Sequence, residues 1–113
     1  MNLTTDRAQG VSIVRVNEPR LMYPLLSEFS STITSLIGAG ERKVLLDLST
    51  VTYVDSATIG CLMDLHRQAS AAGGQLKLAG VQKRVETMLT MTGAQNFIEI
   101  HPDEPSAVGS FKV

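Results

Sequence analysis

Apolar and polar positions change their period several times along this 113-residue chain, and each change marks an element. Leu3 to Arg7 and Val11 to Val16 are rich in β-branched residues on either side of Ala8, Gln9 and Gly10. Val11, Ile13 and Arg15 alternate there against Ser12, Val14 and Val16, which predicts an opening β-hairpin. After Pro19 and Pro24 the period lengthens. Leu25, Leu26, Phe29, Ile33, Leu36 and Ile37 recur at helical spacing and stop at Gly38 and Gly40, so a long amphipathic helix is expected. The run "KVLLDLS", Lys43 to Ser49, is nearly continuous in apolar residues. Such a strand is covered on both faces, and in a mixed α/β sheet that means a central one.

The second half repeats the alternation. Ile59, Leu62, Met63, Leu65, His66, Ala69 and Ala72 predict a helix with one broad apolar side, closed by Gly73 and Gly74. "QLKLAG", Gln75 to Gly80, is another strand, and Val85, Met88, Leu89 and Thr92 line one side of a helix that stops at Gly93. Phe97 to Ile100 is expected to add a short strand. Asp103 to Ser110 is expected to be a terminal helix, with Asp103 as cap and Pro105 in its first turn. Strands alternating with helices imply right-handed crossovers, hence a parallel or mixed sheet with helices packed on it. The chain is predicted to be a single α/β domain over residues 1–113.

Composition narrows the function. Apolar residues are 43% and charged residues 19% of the chain, a globular balance, and a formal net charge of −1 supplies no basic field for nucleic acid. The lone Cys61 has no intramolecular disulfide partner, and no positive segment followed by a long apolar run opens the chain, so a cytoplasmic location is expected. No uncharged run approaches the roughly 18 residues that span a bilayer. Direct membrane binding is not expected.

Candidate chemistry gathers in "VTYVDSATIG", Val51 to Gly60, where a β-friendly run meets an acid, then a hydroxyl, then the start of a helix. Ser56 has a bland reading as the helix N-cap, with Asp55 adding negative charge at the positive helix end. A nucleophile of the α/β-hydrolase kind would sit in a G-x-S-x-G elbow, but Val54 and Thr58 occupy the glycine positions. His66 lies along the same helix and His101 precedes Pro102, so neither is placed as a triad base. Cys61 and His66 are about 500° apart around a helix, too far for a thiolate and its base. Neither a metal site nor a cofactor is expected: histidine and cysteine lack ligand spacing, and "GAGE" at Gly38 to Glu41 follows a helix instead of a strand, the reverse of a phosphate loop. Asp47 and Asp55 likewise lack the further acids a phosphoaspartate receiver would need.

The segment "DLSTVTYVDSATIGCLMDLHRQASAAGGQLKLAG", Asp47 to Gly80, resembles the STAS domain family, in particular the free-standing anti-sigma factor antagonists of bacteria. The resemblance rests on Asp47, Leu48, Ser49 and Val51 of a D-L-S-x-V-like run, Asp55, Ser56 and Gly60 of a D-S-(S/T)-G-L-G-like motif, Gly73 and Gly74, and the pair Thr92 and Gly93. It implies a STAS fold: a mixed sheet of four to five strands with an N-terminal hairpin and three to four helices. It also implies a protein without catalysis of its own. The serine after the motif aspartate, here Ser56, would be phosphorylated by a partner anti-sigma factor that is a serine kinase, and a serine phosphatase would reset it. Asp55 and the helix start from Ala57 to Gly60 would form part of the docking surface.

Two departures bear on that expectation. Ala57 and Thr58 stand where the family carries Ser or Thr and then Gly, which makes Thr58 a second candidate acceptor. "NEPRLMYP", Asn17 to Pro24, replaces a G-x-L-D-like turn at the partner-facing edge. Within it, Leu21, Met22 and Tyr23 are either a staple onto the core or a contact patch. Lys83 and Arg84 read as solvated charges opening a helix. The alternatives to a phosphorylation switch are a STAS scaffold that docks without being modified, and a small serine hydrolase using Ser56.

Overall fold

Two residues make the hairpin. Gln9 and Gly10 both take positive φ, 52° and 79°, as a two-residue type I′ turn requires, and the twist of that turn matches the strands it joins. The computed structural model of the protein describes residues 1–111. Its elements in chain order are β1 (Leu3–Ala8), β2 (Val11–Val16), β3 (Arg20–Leu21), α1 (Tyr23–Gly38), β4 (Lys43–Asp47), β5 (Tyr53–Val54), α2 (Ser56–Ala71), β6 (Gln75–Ala79), α3 (Lys83–Thr92), a 3-10 turn at Ala94–Asn96, β7 (Ile100–His101) and α4 (Glu104–Ser110).

The main sheet runs β1-β2-β4-β6-β7, antiparallel within the hairpin and parallel elsewhere. The predicted mixed sheet is therefore present, and the "KVLLDLS" strand lies at its centre. Helices α1, α2 and α3 cover one face, where Phe29, Ile33, Leu62, Leu65, Val85 and Leu89 meet Val14, Val44, Leu46 and Leu78. On the other face, α4 sets Ala107 and Val108 against Val11, Ile13, Leu45 and Ala79. Both sides of β2 are thus covered, whereas β1 is the exposed edge.

Lys77 interrupts the buried apolar run of β6, Leu76 to Ala79, and is only 4% exposed. Its ammonium lies 2.9 Å from Ser110 Oγ, 3.1 Å from Ser110 O and 3.2 Å from Glu99 Oε1, over the Phe111 ring at 4.6 Å. A buried charge is tolerated when its donors are satisfied, and these contacts fasten the end of α4. Gly74 is required for a different reason. A Cβ there would collide with the carbonyl oxygen of Arg42, so the Gly-Gly pair lets β6 start against the chain entering β4 as well as ending α2.

Three expectations need correction or addition. The strand foreseen at Phe97 to Ile100 forms at Ile100 and His101 instead: the N–H groups of Phe97 and Ile98 are already donated to Ala94 O at 3.0 and 3.1 Å, and Ile98 turns inward to close the core. Second, β3 and β5 pair in parallel as a separate two-stranded sheet, Arg20 opposite Tyr53 and Leu21 opposite Val54. Two-residue strands carry no period, so the pattern did not announce them. Third, Ser56 is not the cap of α2. Asp55 is, with extended φ −100° and ψ 175°, while Ser56 is already the first helical residue. The terminal helix is capped by Asp103 as expected, its carboxylate accepting from Ser106 N–H at 2.8 Å. No helix among the described residues is long and apolar enough to cross a membrane.

Candidate functional site

Strand β5 hands the chain to α2 at Asp55, and the carboxylate there is used twice. Oδ1 accepts the Thr58 N–H at 2.9 Å and lies 2.6 Å from Thr58 Oγ1; Oδ2 accepts the N–H of Tyr23, the first residue of α1, at 3.0 Å. Helix α1 has no side-chain cap from Met22. One carboxylate therefore serves the N-termini of two helices, whose positive ends favour it. The Thr58 hydroxyl, then the Tyr23 and Thr58 N–H groups, hold the Asp55 carboxyl below its ordinary range against the opposing effect of burial.

This geometry depends on the small β3–β5 sheet, which brings residues 20–23 beside 53–58. Arg20 also stacks over the Tyr53 ring at 5.3 Å. Of the apolar trio between the two prolines, Leu21 is fully buried and is the staple, Met22 is half-buried, and Tyr23 is exposed. Thr58 is fully buried too, with its hydroxyl 2.7 Å from Leu21 O. It is a cap partner and a strut under β3, not a displayed hydroxyl, which takes it out of the surface as a second acceptor. Its β-branched carbon fills space below the helix start.

Ser56, Ala57 and Gly60 stay exposed. The Ser56 hydroxyl has no hydrogen-bond partner among the described residues. Beside it an open groove of about 530 Å³ runs between the two helices, lined by Tyr23, Pro24, Leu26, Ser27 and Ser30 from α1 and by Ala57, Cys61 and Asp64 from α2. Of the α1 half of this groove, the sequence offered Tyr23 as a candidate contact but not Pro24, Leu26, Ser27 or Ser30. The missing cap residue before Pro24 was the available signal, because an uncapped helix start needs a partner from elsewhere.

Among the described residues, groups that would support nucleophilic chemistry are not gathered at Ser56. His66 is ten residues farther along α2, about 15 Å of helix, and lines a separate pocket with Phe97 and Glu99. His101 Nε2 lies 3.0 Å from Glu99 Oε1. Cys61 is half-buried, and burial pushes its thiol up, away from the reactive thiolate. Among the described residues no three His, Cys, Asp or Glu side chains are grouped to hold a metal ion. Lys83 and Arg84 are exposed at the start of α3.

The sequence profile described as "STAS domain" matches residues 2–107. The chain belongs to the STAS domain family. A candidate anti-sigma factor antagonist of Thermotoga neapolitana is 31% identical over 65 residues, a stretch that takes in 58% of this chain and 58% of that relative's own length. The crystal structure of a candidate anti-sigma factor antagonist of Thermotoga maritima superposes with a TM-score of 0.87, at 22% identity, over 95% of this chain and 92% of that one. The Bacillus anti-sigma factor antagonist SpoIIAA has been solved unphosphorylated, with a TM-score of 0.80 at 15% identity, covering 95% of this chain and 93% of its own. Its phosphorylated form gives 0.73 at 14% identity, covering 96% and 97%. At these identities the structural likeness shows the STAS fold.

Proposed function

We propose that this STAS domain protein is an anti-sigma factor antagonist switched by phosphorylation of Ser56. Unmodified, it binds an anti-sigma factor that is also a serine kinase and thereby frees a sigma factor. Phosphate on Ser56 ends the binding, and a serine phosphatase restores it. The kinase is the partner's, so this chain contributes a substrate serine and a surface, and a cytoplasmic site of action follows from that partner.

The observation that carries this reading is the division of labour at the start of α2. Asp55 and Thr58 are consumed by capping, whereas Ser56, one residue away, is exposed with a free hydroxyl beside the groove formed by Tyr23 and Ala57. Phosphorylation adds about −1.5 to −2 charges at a helix N-terminus, where the dipole favours an anion by about 0.3–1 kcal/mol, so the fold is not the main casualty. A partner packed on this surface has to desolvate the phosphate next to Asp55. If that costs about 3–4 kcal/mol, affinity falls some hundredfold or more.

Intact-mass analysis of the chain isolated from its own cells with phosphatases inhibited tests the switch. One phosphate on wild type and none on Ser56→Ala is expected, and equal phosphate on both overturns the assignment. Pulldown from the same cells with Ser56→Ala and Ser56→Asp baits is expected to retain the anti-sigma factor on the first alone. Retention on both, with no phosphate found, is the result for an unmodified scaffold, the reading favoured by Ala57 in place of a second hydroxyl.

A further inference from the structure

Resting on the reading of Ser56 as phosphoacceptor, we propose that a phosphate there acts through Asp55 to release the first turn of α1. The partner then meets a displaced Tyr23 as well as an added charge.

The two oxygens of Asp55 are unequally held. Oδ1 is fixed by both the N–H and the hydroxyl of Thr58, a buried residue, whereas Oδ2 has the single N–H of Tyr23 at 3.0 Å. A phosphate on the adjacent residue disturbs this carboxylate in two ways. It repels a like charge one residue away, and it competes for the amide donors of the first turn of α2, Thr58 N–H among them. Either effect moves Asp55, and the outer bond to Tyr23 is the one with nothing else to hold it.

Helix α1 has no second cap. Met22 supplies no side-chain acceptor, and Pro24 in the first turn has no N–H to donate. Loss of Asp55 Oδ2 therefore leaves the first donor of α1 unsatisfied within the protein. The disturbance is bounded on both sides. Leu21 is buried, paired in β3 and in contact with the Thr58 hydroxyl, and Phe29 is buried one and a half turns into α1. Between them lie Tyr23, 73% exposed, and Leu26, both lining the groove that Ala57 faces. A tyrosine ring whose backbone anchor depends on the modified residue's neighbour makes the groove itself responsive to modification.

Phosphoserine incorporated at position 56 during translation permits a test that uses no kinase. Residue-resolved amide exchange is measured by NMR on the full chain, with and without phosphoserine, in the wild-type and Asp55→Asn backgrounds. Asparagine has a single acceptor oxygen, which stays with the Thr58 N–H, and its NH2 cannot accept from Tyr23, so this background lacks both the charge and the Asp55 link to Tyr23. With Asp55 present, phosphoserine is expected to speed exchange at Tyr23 about tenfold and to leave Leu21 unchanged. In Asp55→Asn the same modification is expected to change Tyr23 less than about twofold. Unchanged exchange at Tyr23 with Asp55 present overturns the proposal, as does equal acceleration in both backgrounds. Failure of the phosphoacceptor reading shows up separately, as absence of phosphate from Ser56 in the chain isolated from cells.

Discussion

Arg15 and Glu104, 89 positions apart, are joined by two parallel hydrogen bonds: Arg15 Nε to Oε2 at 2.7 Å and Arg15 Nη2 to Oε1 at 2.8 Å. The pair pins the start of α4 to β2. Asp47 lies opposite Arg15 in the sheet register, and its carboxyl can donate to Glu104 only while it is protonated. The two carboxyl groups titrate apart. The Arg15 bond, then the Asp47 bond, holds Glu104 down to about 2, while burial, then Glu104, pushes Asp47 up.

The signs of these shifts predict opposite behaviour for the two acids. Glu104 contributes stability that is present above its unfolded value of about 4.3 and is lost as pH falls from there towards about 2. Glu104→Gln should cost about 1 kcal/mol at pH 7, a bidentate but partly exposed pair being worth little more. Asp47 costs the fold stability once it ionises, above an unfolded value of about 3.9. Asp47→Asn keeps an acceptor for Ser49 N–H, which Asp47 Oδ1 now binds at 2.8 Å, and offers Glu104 a donor. It should raise stability at pH 7 by about 0.5–1 kcal/mol, with the gain shrinking towards pH 4. Urea unfolding at both pH values reads this, and a loss at pH 7 would contradict it.

Asp55 serves two helix starts, so its removal should cost more than one cap. Asp55→Ala is expected to lose about 2 kcal/mol, the upper end for a single N-cap, and Asp55→Asn less than half of that. Because its carboxyl is held low in the fold, this stability is present above about pH 4 and is lost as the pH falls through the folded value. A loss in Asp55→Ala of about 1 kcal/mol or less, the ordinary cost of one cap, would mean that the Tyr23 contact contributes nothing.

Thr58→Val removes one hydroxyl from a fully buried site and leaves Leu21 O without that contact. A cost of about 1–2 kcal/mol is expected in thermal or urea unfolding. Phosphate on Ser56 in the chain isolated from cells should be unchanged. Phosphate lost with Thr58→Val but kept with Ser56→Ala would move the acceptor to Thr58.

Two glycines should answer alanine in opposite directions. At Gly60, exposed within α2, a Cβ meets nothing within 4 Å, so Gly60→Ala should stabilise by about 0.5–1 kcal/mol. At Gly74 the Cβ would strike the Arg42 backbone, also lying 2.9 Å from its Cα, so Gly74→Ala should destabilise by about 2 kcal/mol or more. If Gly60→Ala folds better yet loses the anti-sigma factor in a pulldown, the glycine serves docking.

The amino-acid sequence by itself determined the alternation of strands and helices, the central place of Lys43 to Asp47 and the Asp103 cap, because burial period and capping chemistry are local properties. The D-S motif also placed Ser56 at a strand-to-helix junction. Which of Asp55 and Ser56 caps the helix was decided by tertiary structure: the Asp55 carboxylate has a second donor, Tyr23 N–H, that arrives only when β3 pairs with β5. The same pairing sorted three adjacent residues into buried Leu21, half-buried Met22 and exposed Tyr23, and turned Thr58 inward. Neither two-residue strands nor contacts across more than thirty positions leave a period in the sequence. They arise when separate elements close on one core, and that closure is what sets the exposed serine beside a groove.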